Sequence, residues 1–189
     1  MENIYLNELK EHSQVIAQLS TLSDTVVAVA KIISESMDQG GKLLICGNGG
    51  SAADSQHIAA EFIGRFREDR KPLPSISLTT DSSVLTCISN DYSFSYVFSR
   101  QVQAIGNSGD VLLAISTSGN SNNIIEAVKI AKAKNILTVG LLGNDGGDLR
   151  LLVDHEILVS SNNTARIQEA HIFIGHMICA LVEASVNLD

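Results

Sequence analysis

Lys42-Leu43-Leu44-Ile45-Cys46-Gly47-Asn48-Gly49-Gly50-Ser51 is an apolar run that ends in a glycine-rich polar turn, and Ala52-Ala53-Asp54-Ser55-Gln56-His57-Ile58-Ala59-Ala60-Glu61 follows it. The apolar part has the length and composition of a buried parallel strand, while Gly47, Gly49 and Gly50 allow a tight turn and a close approach of backbone to a ligand. Ser51 reads as the cap of a new helix, whose free N–H groups favour a phosphate. His57 and Glu61, four residues apart, project from one face of that helix about one turn from each other. An anion cradle and a polar ligand pair therefore share one strand-to-helix unit. The turn is neither a Rossmann nor a Walker signature, because no Lys-Ser or Lys-Thr closes it.

The pattern repeats outward from this unit. Strands are expected at 42–46, 75–79, 110–115, 136–142 and 155–159, with helices near 51–65, 83–89, 93–105 and 120–134 between them. Alternation of this kind gives an α/β three-layer sandwich, a five-stranded parallel sheet covered on both faces, flavodoxin-like or Rossmann-like. Helical stretches at 2–20, 23–39 and 164–186 exceed what such a sheet needs for cover. The last carries a wide apolar surface through Ile167, Ile172, Ile174, Met177, Ile178, Leu181 and Val182, which suggests burial against another subunit. A second cradle follows the strand at 110–115: Ser116-Thr117-Ser118-Gly119-Asn120-Ser121 places four hydroxyls and a glycine before a helix. Hydroxyls donate to phosphate oxygens and the helix dipole adds attraction, at the carboxyl edge where open α/β sheets bind ligands.

Composition narrows the function classes. With 189 residues, 44% of them hydrophobic, the chain suits one well-buried core and is short for two domains. A net charge of −8 with 13 scattered basic residues excludes a nucleic-acid-binding face, so an anionic small molecule must be held by backbone amides, hydroxyls, a helix dipole or a cation. Met1-Glu2-Asn3 opens no signal-peptide pattern, and no uninterrupted apolar run approaches the roughly 20 residues of a membrane span, so the cytoplasm is the expected location. Cys46, Cys87 and Cys179 are widely spaced in apolar surroundings and read as buried free thiols.

Asn48-Gly49-Gly50-Ser51, Ser116-Thr117-Ser118-Gly119-Asn120-Ser121 and the strands around them resemble the sugar isomerase (SIS) domain family, a module that binds phosphosugars. The resemblance spans nearly the whole chain, including the leading helices, Asn90-Asp91, Gly146-Gly147 and Arg166-Ile167-Gln168-Glu169-Ala170-His171. It is nearest to the branch that isomerises sedoheptulose 7-phosphate to D-glycero-D-manno-heptose 7-phosphate in bacterial heptose biosynthesis, which feeds lipopolysaccharide or capsule. The resemblance implies that His57, Glu61, Gln168 and His176 hold a metal, one Zn2+ per subunit. It also implies that Asn48, Gly49, Gly50, Ser51, Asn90, Asp91, Ser116, Thr117, Ser118 and Ser121, together with Glu61 and Gln168, meet the phosphosugar. A homotetramer with active sites between subunits is implied too, residues 1–40 serving its packing and 41–189 the remainder of a single SIS domain.

Residue chemistry supports an isomerase independently of the resemblance. Moving a proton between C1 and C2 of a sugar phosphate through an enediol needs a base at carbon and a polar group or cation at oxygen, and Glu61 and His176 suit those roles. Mixed imidazole, carboxylate and amide ligands are compatible with zinc and with other divalent metals. Gln168 and His176 lie eight residues apart, about 12 Å along one helix and roughly 80° around it. Either that helix bends or one of the two serves a neighbouring subunit. His171 and His155 read as ordinary buried or surface histidines. The non-enzymatic alternative is a regulator that binds a phosphosugar, or the replication initiator protein, without catalysis. Retention of both Glu61 and His176 favours the enzyme.

Overall fold

The computed structural model describes residues 2–186; Met1 and residues 187–189, the outer ends of the expected domain, lie outside them. Five parallel strands form the sheet: β1 (Leu43–Gly47), β2 (Ser75–Ser77), β3 (Val111–Ser116), β4 (Leu137–Gly143) and β5 (His155–Val159). Their spatial order is β2-β1-β3-β4-β5. The helices are α1 (Glu2–Gln18), α2 (Ser23–Asp38), α3 (Gly50–Ile63), α4 (Ser82–Asp91), α5 (Ser99–Ile105), α6 (Asn122–Ala133) and α7 (Thr164–Ser185). This is the three-layer sandwich expected from the alternation of elements. The strand at 75–79 is shorter than expected, and the helix at 93–105 divides into a 3-10 turn at Phe94–Tyr96 and α5, because the Ser93 hydroxyl accepts from Ser95 N–H and starts the turn separately.

Alternation along each strand divides the core in two. Leu43, Ile45, Val111, Leu113, Ile115, Val139, Leu141 and Ile157 face the layer of α1, α2, α3 and α7, while Leu44, Cys46, Leu112, Ala114 and Leu142 face α4, α5 and α6. Both faces of the central strands are sealed, which is why these segments read as continuous apolar runs. The chain leaves β1 toward β2 on one side and returns to β3 on the other. Between β1 and β3 the connections diverge, and a crevice opens at the carboxyl edge. Register sharpens that placement, since Gly47 pairs with Ile115 and both glycine- and serine-rich turns leave the sheet at the same level.

A buried ion pair ties the far end of α3 to α7. Glu183 is 4% exposed and accepts backbone N–H bonds from Phe66, Arg67 and Glu68 at 2.8–3.0 Å, and from Arg70 Nε at 3.0 Å. Burial opposes its ionisation, but those N–H groups and the Arg70 charge outweigh it and hold the carboxyl below the ordinary glutamate range. Arg70 also donates to the carbonyls of Glu61 and Phe62, at 2.8 Å each, closing the last turn of α3.

Two expectations change. Cys46 and Cys179 are buried free thiols, each pushed up to about 12 by burial, but Cys87 is exposed on α4, where its Sγ lies 3.4 Å from Asp91 Oδ2. Its apolar neighbours in sequence turn inward while it does not. The helical stretch Asn3–Asp38 is long and apolar enough, by length and composition, to cross a membrane. A 3-10 segment at Leu19–Leu22 interrupts it, and Val26, Val29, Ala30 and Ile33 are buried in the core of this protein.

His171 is fully buried on α7, facing the Leu142 carbonyl without a well-formed hydrogen bond, and burial lowers its pKa to about 4. Below pH 6.5 the unfolded chain takes up a proton there that the folded chain refuses until about pH 4, so stability should fall across that interval as pH decreases. The expected slope from this residue is about 1.4 kcal/mol per pH unit. Denaturant melts at pH 7 and pH 5 check it: His171→Leu should flatten the difference, and an identical pH dependence in the variant would refute the assignment.

Candidate active site

The site assembles where α3 and α7 lie side by side beneath the two turns. Gly49 takes the cap position of α3 with φ 56° and ψ −120°, a conformation suited to glycine. Ser51, expected as the cap, instead lies in the first turn at 3% exposure, because the chain enters the helix two residues earlier than a serine cap requires. A side chain at position 50 would strike the Gln168 amide, and one at position 175 would strike Ile58. The two helices thus align Gly50 with Gln168 and Ile58 with Gly175, running in the same direction.

That alignment resolves the spacing question. His176 falls level with His57, and their Nε2 atoms stand 3.4 Å apart. Glu61 Oε1 lies 3.3 Å from His57 Nε2, and ligand atoms of His57, Glu61 and His176 all fall within 4.8 Å of one another. Gln168 sits two turns away along α7, its amide against Gly50. Two imidazoles and a carboxylate gathered this closely fit a divalent cation with nitrogen and oxygen ligands. Burial lowers the His176 pKa, the His57 charge adds to this, and Glu61 opposes it, which favours the neutral form of the imidazole.

The second turn is equally specific. Ser116 Oγ accepts from Gly119 N–H at 3.0 Å and lies 3.3 Å from Ser121 Oγ. Ser121 holds the cap position of α6 yet makes no side-chain capping bond, leaving its hydroxyl for the crevice. Gly119 packs so closely on the Gly146 backbone that no side chain fits there, which fixes the turn against the loop before β5. Asn48 and Asn123 exchange two amide hydrogen bonds of 2.9 Å across the crevice, joining the first turn to the start of α6. Asn90 and Asp91 are exposed at the end of α4; Asn90 donates to Asp91 at 2.9 Å, and neither makes a hydrogen bond to either turn.

The residue types in the motifs did not reveal several neighbours of the site. Asp54 lies one turn before His57, its Oδ2 buried without a partner and its carboxyl raised to about 6 by burial against the opposing effect of His57. Its polar side chain on the inner face of α3 was the available signal. Asn123, Arg70 and Glu183 carry no local sequence signature, because their partners are distant in the chain. Phe66 lies over His176, rings 5.4 Å apart at 24°.

The sheet is parallel and five-stranded, with the glycine-rich and serine-rich turns flanking its switch point, and residues 5–143 match the SIS domain family. The chain belongs to that family and, within it, to the phosphoheptose isomerases. It is 50% identical to phosphoheptose isomerase 1 of Campylobacter jejuni over 98% of this chain and 100% of that one. The solved phosphoheptose isomerase of Neisseria gonorrhoeae superposes with a TM-score of 0.92 at 41% identity, covering 97% of this chain and 98% of the other. That of Francisella tularensis gives 0.94 at 35% identity, covering 98% and 100%.

Proposed function

We propose that Glu61 and His176 carry out the isomerisation of D-sedoheptulose 7-phosphate to D-glycero-D-manno-heptose 7-phosphate, the opening reaction of nucleotide-activated heptose synthesis. The observation that supports this most is the His57–Glu61–His176 cluster, set about two to three helical turns along α3 from the glycine-rich turn. Glu61 removes a proton from C1 of the ketose and returns it to C2, and His176 delivers a proton to O2 and accepts one from O1. Hydroxyls and backbone N–H groups at Ser116–Ser121 and Asn48–Ser51 hold the phosphate and sugar, with Asn90, Asp91 and Gln168 completing the contacts. His57, Glu61 and His176 would hold Zn2+, one per subunit, which when bound would polarise the carbonyl and steady the enediolate; Gln168, whose amide lies against Gly50 two turns away, would join such an ion only in a site shared with a neighbouring subunit.

The reading extends to a homotetramer in the cytoplasm with active sites between subunits. Ile4, Tyr5, Leu6 and Leu9 of α1 are exposed, and a cavity of about 620 Å³ between the α1–α2 junction and α7 is lined by Leu19, Val26, Val27, Phe173, Met177 and Leu181. Such surfaces suit subunit packing by residues 1–40 of a single SIS domain.

A panel of C5 to C7 ketose phosphates with metal-replete protein, followed by NMR, tests the reading. Preferred conversion of the seven-carbon substrate is expected; binding without conversion of any sugar would favour the non-catalytic regulator. Phosphate contact is tested by replacing Ser118 and Ser121 together with Ala. Ser116 is spared because it is buried and its hydroxyl holds the Gly119 N–H at 3.0 Å, whereas Ser118 is exposed and accepts the Asn120 N–H at a longer 3.2 Å. Each lost donor to a charged acceptor is worth roughly 1.5–3 kcal/mol, so KM should rise at least about tenfold. An unchanged KM would place the phosphate at Asn48–Ser51 instead.

A further inference from the structure

Phe66 belongs to no motif, yet the protein holds it firmly. Its backbone N–H, with those of Arg67 and Glu68, is bound by the buried Glu183 carboxylate, and Glu183 stands seven residues after His176 on α7. Arg70 links the same carboxylate to the Glu61 and Phe62 carbonyls. One clamp therefore fixes three things together: the end of α3 that carries Glu61, the segment that carries Phe66, and the helix that carries His176. The Phe66 ring is half-buried and stacks on the His176 imidazole, while His57 meets that imidazole edge-on at 4.9 Å and 78°. The Arg67 guanidinium lies 5.2 Å from the Phe66 ring centre.

We propose that Phe66 is a positioning residue for the isomerisation: its ring, held by the Glu183–Arg70 clamp, confines the His176 imidazole to the orientation that directs Nε2 at His57 and Glu61. A half-exposed histidine on a helix has several open rotamers, and a stacked ring removes those that would turn Nε2 away. Orientation of this kind acts on the rate and leaves the sugar contacts alone. The inference rests on the roles assigned to His176 and Glu61 above.

The test compares Phe66→Leu, which keeps apolar bulk but has no ring, with Phe66→Tyr, which keeps the ring. Phe66→Leu should lower kcat roughly ten- to a hundredfold. KM should stay within about twofold, the pattern of an interaction that matters to the transition state rather than to binding. Phe66→Tyr should restore most of the rate. In protein carrying histidine labelled with 13C at Cε1, the His176 signal, assigned by its loss in His176→Gln, should move downfield in Phe66→Leu as the ring current disappears, and stay in place in Phe66→Tyr. Wild-type kcat in Phe66→Leu, an unmoved His176 signal, or an equal loss in Phe66→Tyr would overturn the proposal. A raised KM with kcat unchanged would do so as well, by showing that the segment holds sugar. The NMR comparison needs no turnover, so an inactive wild-type protein would count against the isomerase reading while leaving this inference decidable.

Discussion

Glu61→Gln should leave a folded, sugar-binding protein whose isomerisation rate is lower by about two to four orders of magnitude, the usual cost of losing a general base. The change is nearly isosteric and removes only the basicity of the carboxylate. The Glu61 backbone carbonyl, which receives Arg70 at 2.8 Å, is untouched, so the Arg70–Glu183 clamp should survive. Single-turnover NMR in D2O reads the result directly: the wild type should incorporate solvent deuterium at the transferred carbon, and the variant should not. Metal content must be measured alongside, because Glu61 lies within reach of the same cation as His57 and His176. Activity within a few-fold of wild type would sink the assignment of Glu61 as base.

His57→Ala should lower bound divalent metal and turnover together. Removing an outer partner of a metal-binding histidine typically costs about 10- to 100-fold in affinity or activity. His57 Nε2 is 3.3 Å from Glu61 and 3.4 Å from His176, at the centre of the cluster, so its loss should exceed that range. The fold should tolerate the change, since the side chain is about half exposed and His57 is not one of the core residues. Elemental analysis and a zinc titration of apoprotein give the measurement. A fully active preparation without metal would refute the cation site, and undiminished zinc binding by His57→Ala would relocate it.

How much of this is legible in the sequence depends on the distance over which each feature is encoded. Leu43–Cys46 and Val111–Ile115 announce buried parallel strands because both of their faces are covered, and every side chain in them must be apolar. His57 and Glu61 could be paired because four residues is one helical turn, a relation set by the backbone. The Ser116–Ser121 cradle was visible for the same reason, its hydroxyls being neighbours in the chain. Ser51 has the residue type of a cap but is not one, because capping depends on where the chain enters the helix, and Gly49 enters it first through a positive φ that no pattern of residue types displays.

The sequence by itself therefore determined the layered α/β architecture, the two cradles, the His57–Glu61 pair and, through its motifs, the family. Only the tertiary structure decided that His176 closes on that pair while Gln168 lies at Gly50, that Asn48 joins Asn123, that Cys87 faces outward, and that Glu183 reaches across more than a hundred residues to bind Phe66, Arg67, Glu68 and Arg70. Periodicity and turn chemistry are written in contiguous residues, whereas the level at which α7 lies beside α3 is set by the close packing of Gly50 on Gln168 and Gly175 on Ile58, contacts that exist only once the sheet has brought the two helices together.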